Sequence, residues 1–397
     1  MDGRPAELRT HLSVGRSRGS QTVMIDSREF RSKVAEQLAA QAGSVAQLSA
    51  FVGLDGFVDE ILHVVDKRQD AHRYDRVRTI GDFGHRLTSA AGQSTNVELV
   101  NVMTKLGGNG PIMANALASF GLKVSYLGSL GWPSLHPVFQ SFAERAEVAS
   151  LCSPGFTDAL EFEDGKVMVG KHYTLKEVNW NTIETRFGRQ KFAERFGSAD
   201  LVGFVNWTML PYMSDIWSSI QRELLPALTG PRRRLFVDLA DPEKRLPEDI
   251  LQALGLVTSF GSHFDVILGL NEKEAYEIAA VLGLDSSPRD WKGLSELALH
   301  IHQRVPVDTL VIHPVTYALA VSRGDVSVVA GAVCRRPKIT TGAGDHFNSG
   351  FCLGKLLGLD NAASLLCGVS TSGHYVRTAE SPTVHQLIQL MKNWPTD

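Results

Sequence analysis

Thr340-Thr341-Gly342-Ala343-Gly344-Asp345-His346-Phe347 opens an uncharged helix that continues through 348–353. Glycines at a helix start let backbone N–H groups converge on one point. The helix dipole adds partial positive charge there, so such a turn is an anion site. Asp345 is out of place if the loop only holds phosphate. It fits if the carboxylate takes a proton from a nucleophile while the N–H groups of Gly342, Ala343 and Gly344 stabilise a phosphoryl group in transfer. Ala343 and Gly344 present little side chain, which lets phosphate approach the backbone. The competing reading is structural: an acid that complements the dipole, with glycines serving a tight turn.

Upstream, short continuous apolar runs at 201–205, 235–237, 266–268 and 310–312 alternate with helical stretches at 214–228, 271–282 and 291–304, and a further helix is read at 345–357. This rhythm predicts a mostly parallel sheet covered by helices on both faces, with ligands beyond the carboxyl ends of its strands. Gly107-Gly108-Asn109-Gly110-Pro111 opens another helix, which stops at Gly121, with Pro just inside the start and Gly just past the end. Earlier still, the apolar run 51–54 ends in Asp55-Gly56-Phe57-Val58-Asp59, two acids at a strand end and hence a site edge. A short strand is read at 61–65, and a polar, poorly patterned stretch follows over 66–105. A weak alternation over 157–169 turns at Asp164-Gly165, a hairpin signal. The last two segments read as pieces of a flap. Ser27 caps a helix running to about residue 42.

The 397 residues are 43% hydrophobic and 21% charged, with 36 Gly and 16 Pro. That composition excludes a disordered, fibrous or coiled-coil chain. The charges nearly cancel, 40 Lys and Arg against 43 Asp and Glu, and give no field that gathers nucleic acid or anionic lipid. The four cysteines have neither disulfide-framework nor zinc-site spacing, so free thiols in a reducing cytoplasm are expected. No apolar run is long enough for a membrane span. Residues 1–25 read as a flexible tail without a signal-peptide core, and Met24 is a second candidate start.

Thr-Gly-Ala-Gly-Asp before a small-residue helix resembles the carboxy-terminal signature of the ribokinase-like family, the phosphofructokinase-B carbohydrate kinases. Gly107-Gly108-Asn109 with its helix is similar to that family's amino-terminal glycine signature. Asn271-Glu272-Lys273-Glu274 resembles its Asn-x-x-Glu motif, and 236–242 (Phe-Val-Asp-Leu-Ala-Asp-Pro) stands where many members have an acidic strand end. The four motifs fall in the family's order. The resemblance implies one large doubly wound α/β domain over 26–397, with β-lid segments inserted at about 61–105 and 155–180. It implies transfer of the γ-phosphoryl of ATP, with Mg2+, to a sugar or related polyol hydroxyl. Asp345 is then the general base and Gly342 to Gly344 the anion hole. Asn271, Thr341 and His313 lie on the nucleotide side, and Glu274 orients the metal, through water because Mg2+ dehydrates reluctantly. Gly108 and Asn109 lie beside the substrate. Asp55 or Asp59 binds its hydroxyls, a task that suits a carboxylate accepting several hydrogen bonds; Asp59 fits the family spacing slightly better, and Asp55-Gly56 also reads as a turn. Pairing of lids between subunits in this family implies a homodimer.

Several positions depart from the family pattern. Ile339 stands where Asp is frequent, and Ile112 near a position usually held by Asn. Asn109 replaces a lysine found in members acting on phosphorylated sugars, which favours a neutral substrate. His313-Pro314 replaces a Gly-rich turn. Two rivals share the fold, a nucleoside kinase and a catalytically silent sugar- or nucleoside-binding protein. A nicotinamide oxidoreductase needs a G-x-G-x-x-G that 107–110 does not supply.

Overall fold

The computed structural model describes residues 23–285 and 288–396. The strands, in chain order, are β1 (Met24–Ile25), β2 (Ser49–Leu54), β3 (Phe57–Arg68), β4 (Tyr74–Arg76), β5 (Leu99–Gly107), β6 (Lys123–Gly128), β7 (Glu147–Ser150), β8 (Gly155–Glu161), β9 (Lys166–Lys171), β10 (Leu201–Val205), β11 (Arg233–Asp238), β12 (Phe264–Leu270), β13 (Thr309–Ile312), β14 (Tyr317–Ser322) and β15 (Asp325–Ala330). Ten of them form one sheet, in the order β1-β15-β14-β13-β12-β11-β10-β2-β6-β7. Neighbours from β7 to β13 are parallel, and β14 pairs antiparallel with both its neighbours. The fold is thus α/β with a mostly parallel sheet, as the strand–helix rhythm predicts.

The apolar runs are continuous because both faces are covered. One face packs Phe204, Trp217, Phe260 and Leu268 into a core, and the other packs Val52, Phe236 and Ile267 against Phe347, Phe351 and Leu353 of the helix Ala343–Leu356. Strand order reverses between β2 and β10, whose next neighbours are β6 and β11. The crevice at such a switch point is where open α/β sheets bind ligands. Here it opens beside Asp55 and Asn206, the residues just past the ends of these strands.

The remaining five strands form a second sheet. Strand β3 starts two residues after β2 and pairs antiparallel with β5 and β4 and parallel with β8, with Ile61 opposite Ala159. Thus 61–65 and 157–169 share one small sheet outside the main one. Asp164-Gly165 turns the β8–β9 hairpin, and Phe162 donates its N–H to Gly165 O at 2.9 Å. Three readings need correction. The strand read at 61–65 is twelve residues long, Phe57–Arg68, so Asp59 lies inside it rather than at the end of the preceding strand. The stretch 66–105 is structured: it carries β4, most of β5 and the helix Ile80–Ser89, whose Phe83 joins Leu62, Val64, Leu160 and Phe162 in a small core of its own. The tail read over 1–25 lies outside the described residues up to 22, and Met24 and Ile25 pair with Val328 and Val329 at the sheet edge.

Candidate active site

The carboxyl ends of β2, β10, β11 and β12 converge below the small sheet on a cleft of about 400 Å³. Its walls include Asp59, Gly108, Asn109, Glu274, Thr341, Gly342 and Asp345, brought together from four separate stretches of sequence. Asn271 and His313 do not line it. They line a neighbouring groove of about 750 Å³ with Lys273, Tyr276 and Pro314.

Asp345 sits in the first turn of the helix Ala343–Leu356, whose cap Gly342 has φ 94°, a left-handed conformation that glycine takes without cost. Asn109 Nδ2 donates to Asp345 Oδ1 at 3.0 Å, which ties the two glycine turns together across the cleft. Burial, and then the charge of Asp238, raise the Asp345 pKa well above the usual carboxylate range, against the Asn109 bond. The loop is braced from behind. Tyr375 OH donates to Thr341 O at 3.0 Å and stacks on His346, whose Nδ1 lies 2.7 Å from Gly342 O. Ala343 differs from expectation: its N–H turns to Thr340 O at 3.1 Å, which leaves Gly344 and Asp345 with the open amides of the first turn. His313 packs at this same start, its ring 4.8 Å from Phe347, and is held neutral by burial, which pushes its pKa down to about 4.

The two early acids separate clearly. Asp55 is fully buried and accepts from Asn109 N at 3.0 Å, Gly110 N at 2.9 Å, Asn206 Nδ2 at 2.8 Å and Tyr126 OH at 3.2 Å. Those donors saturate it, and it clamps the glycine turn to the switch point. Asp59 lines the cleft. Burial raises its pKa, opposed by Lys105 across the β3–β5 pair and by a hydrogen bond from Thr157. Gly107 makes room for it, because a Cβ there would stand 2.4 Å from the Asp59 carboxylate.

Glu274 closes a capping box. Its Oε2 accepts Asn271 N, Asn271 Oδ1 accepts Glu274 N, and its Oε1 accepts Asp241 N, also at 2.8 Å. Asn271 and Glu274 therefore cap this helix, while Glu274 also faces the cleft. Burial first, and then Asp238, raise the Glu274 pKa. The sequence assigns no role to Asn206, His172 or Lys244, and places Asp238 only within an acidic strand end. Asp238 accepts from Ala240 N and Asn348 Nδ2 beside Asp345 and Glu274. Asn206 has φ 64°, the left-handed value that marks a turn just past a strand end. Only its place after an apolar run could have signalled it.

A family model, prokaryotic ketohexokinase, matches residues 26–394. The chain belongs to this family. A ketohexokinase of Haloferax volcanii is 32% identical over 337 residues, covering 84% of this chain and 88% of that one. Among solved structures, the ribokinase of Arabidopsis thaliana complexed with ribose and ATP aligns with a TM-score of 0.60 at 14% identity, over 87% of this chain and 98% of that one. The phosphofructokinase-2 of Escherichia coli aligns at 0.58 and 13%, over 87% and 99%. These two neighbours carry the ribokinase-like fold. The prokaryotic ketohexokinase family makes the chain a carbohydrate kinase that phosphorylates a sugar at the expense of ATP. The nucleoside-kinase and silent-binding alternatives are not favoured. Among the described residues no helix is long and apolar enough to cross a membrane.

Asp55 gives a pH-dependent prediction. Burial raises its pKa from 3.8 to about 6 in the fold, against its four donors. Between those values the folded state holds the proton more tightly, so the contribution of Asp55 to stability is fully present below 3.8 and is lost as pH rises through about 6. The expected loss is about 3 kcal/mol at most. Melting temperature measured from pH 4 to pH 7 should fall less steeply in Asp55→Asn than in the parent. Equal slopes would show that Asp55 does not change its pKa on folding.

Proposed function

We propose that this kinase phosphorylates a hydroxyl of a ketohexose, with Asp345 as the general base. The observation that carries the reading is the meeting in one cleft of Asp345, at a glycine-capped helix start, with Asn109 and Asp59. Asp345 takes the proton of the attacking hydroxyl. A carboxylate whose pKa is raised is a stronger base than a free one, and its partner Asn109 orients it. The amides at Gly342 to Gly344 face the charge on the phosphoryl oxygens, with Gly344 as the main donor since Ala343 N is engaged. Asp59 accepts hydrogen bonds from sugar hydroxyls, and Gly108 lets the sugar approach the backbone. Asn271, Thr341 and His313 border the nucleotide, which extends from the cleft into the larger groove.

Glu274 and Asp345 face the cleft, and Asp238 lies buried behind them; their oxygens do not gather closely enough to ligate one ion directly, so a Mg2+ there would be held through water. Glu274 would hold the ion through water, because both its oxygens already accept a backbone N–H. A divalent ion there supplies charge neutralisation for the phosphates. The five-stranded sheet serves as the lid that excludes water. Its outer strands expose Val102 at 50%, Met103 at 56%, Met168 at 50% and Val169 at 45%, and β5 bonds β3 alone among the described strands. This face suits a second copy of the chain, giving a homodimer through the lid. Use of ATP and free cysteines suits the cytoplasm.

The test is ADP release from ATP with a panel of ketohexoses, aldohexoses, ribose and nucleosides, with and without Mg2+. A ketohexose should give the highest kcat/KM, and chelation should abolish turnover. A nucleoside preferred by tenfold or more would overturn the assignment.

A further inference from the structure

Among the described residues, the cleft is lined by four acids, Asp59, Asp241, Glu274 and Asp345, and by a single lysine or arginine, Lys244. Lys105 answers Asp59 from the lid and does not line the cleft. Phosphoryl oxygens that enter beside four acids need a cation.

Asp241 stands between the two cavities. It lines the cleft, and its carboxylate holds one lysine on each side: Lys244 Nζ at 2.7 Å from Oδ2, and Lys273 Nζ, which lines the larger groove, at 2.6 Å from Oδ1. The turn that presents this acid is strained. Ala240 and Asp241 are successive non-glycine residues with φ 58° and φ 65°. Such a pair persists only where its surroundings hold it. Here Asp238 Oδ1 accepts Ala240 N and Glu274 Oε1 accepts Asp241 N, both at 2.8 Å. Two of the buried acids beside the reacting centre therefore fix the place of Asp241.

The two lysines are not equivalent. Lys273 is held by three carboxylates, Asp241, Glu243 and Glu277. Among the described residues Lys244 pairs with Asp241 alone, and its side chain is 51% exposed. An ammonium on a flexible stem changes partners without a fixed geometry. Lys244 lines the cleft together with His172, which follows the lid strand β9.

We propose that Lys244 binds the phosphoryl group in transfer, exchanging Asp241 for phosphate oxygens, and that Asp241 is the positioning residue that keeps it at the junction of the two cavities. This rests on the kinase reading above. The exchange replaces one anionic partner by another, so no ammonium is left unpaired in the cleft.

The test compares a nucleotide that carries a γ-phosphoryl with one that does not. Binding of AMP-PNP and of ADP, each with Mg2+, is measured by calorimetry for the parent, Lys244→Met, Lys244→Arg and Asp241→Asn. Lys244→Met should weaken AMP-PNP about 10- to 100-fold, leave ADP within about 3-fold, and lower kcat about 100-fold. Lys244→Arg should recover most of the AMP-PNP affinity. Asp241→Asn, which tolerates the left-handed turn, should tighten AMP-PNP severalfold and leave ADP unchanged, and the gain should vanish in the double variant Asp241→Asn with Lys244→Met. Equal losses for both nucleotides in Lys244→Met, or unchanged AMP-PNP affinity, would overturn the proposal. A parent enzyme that binds AMP-PNP and releases ADP with a sugar keeps the kinase reading intact in either case. A parent that does neither overturns that reading and this proposal with it.

Discussion

Asp345→Asn should fold, keep sugar affinity within a few-fold, and lose about 10²–10⁴ in kcat. Asparagine keeps the shape of the side chain and an acceptor for Asn109 Nδ2, which lies 3.0 Å from Asp345 Oδ1, but it cannot take the proton. The stability effect has a definite sign. Burial raises the Asp345 pKa, so the ionised carboxylate weakens the fold at every pH above its unfolded value. Removing that charge should leave the melting temperature at pH 8 equal to or above the parent's. A purely capping acid predicts the reverse, about 1 kcal/mol of lost stability with turnover preserved. The pH profile supplies a second readout. The base must be unprotonated, so kcat/KM should rise with pH through a midpoint above the ordinary carboxylate value, and Asp345→Asn should lack that limb. Turnover near the parent's would falsify the mechanism.

Asp59→Ala should raise the sugar KM about 10- to 100-fold while the KM for ATP stays within about 3-fold. One charge-assisted hydrogen bond is worth roughly 1.5–3 kcal/mol, which converts to that range. Asp59 lines the cleft, and the Lys105 charge across the strand pair favours its ionised form. Asp55→Ala should act differently. Asn109 N, Gly110 N and Asn206 Nδ2 would lose their acceptor, while Tyr126 OH would keep the Asp55 backbone O at 2.7 Å, so melting temperature should drop and both substrates should suffer. Steady-state kinetics of the two variants, with both substrates varied, distinguishes them. A selective sugar defect in Asp55→Ala rather than Asp59→Ala would reverse the assignment.

Most of the main sheet was legible because its signals are local. Continuous apolar runs at β10 to β13 carry their two-sided burial in their own composition, and the capping patterns around Asn109, Asn271 and Ala343 are set within a few residues of chain. The small sheet was poorly legible. Its β3–β5 and β3–β8 pairs join segments tens of residues apart, and one of its faces is solvated, so the alternation of any single strand is weak. A polar stretch such as 66–105 then reads as irregular although it contains a strand, a helix and part of a core.

By itself the sequence determined the α/β class, the glycine-capped helix start at Gly342–Asp345 and the order of the motifs, because spacing along the chain fixes the helix starts and strand faces on which these depend. Tertiary structure alone decided that Asp59 faces the cleft while Asp55 is consumed by amides 54 and 55 residues away. It also decided that Glu274 divides its two oxygens between Asn271 N and Asp241 N, and that Lys244 lines the same cleft as Asp345. The reason is physical. A carboxylate or an ammonium takes its role from the donors, charges and solvent that surround it, and these arrive from remote parts of the chain only when the sheet and its lid close.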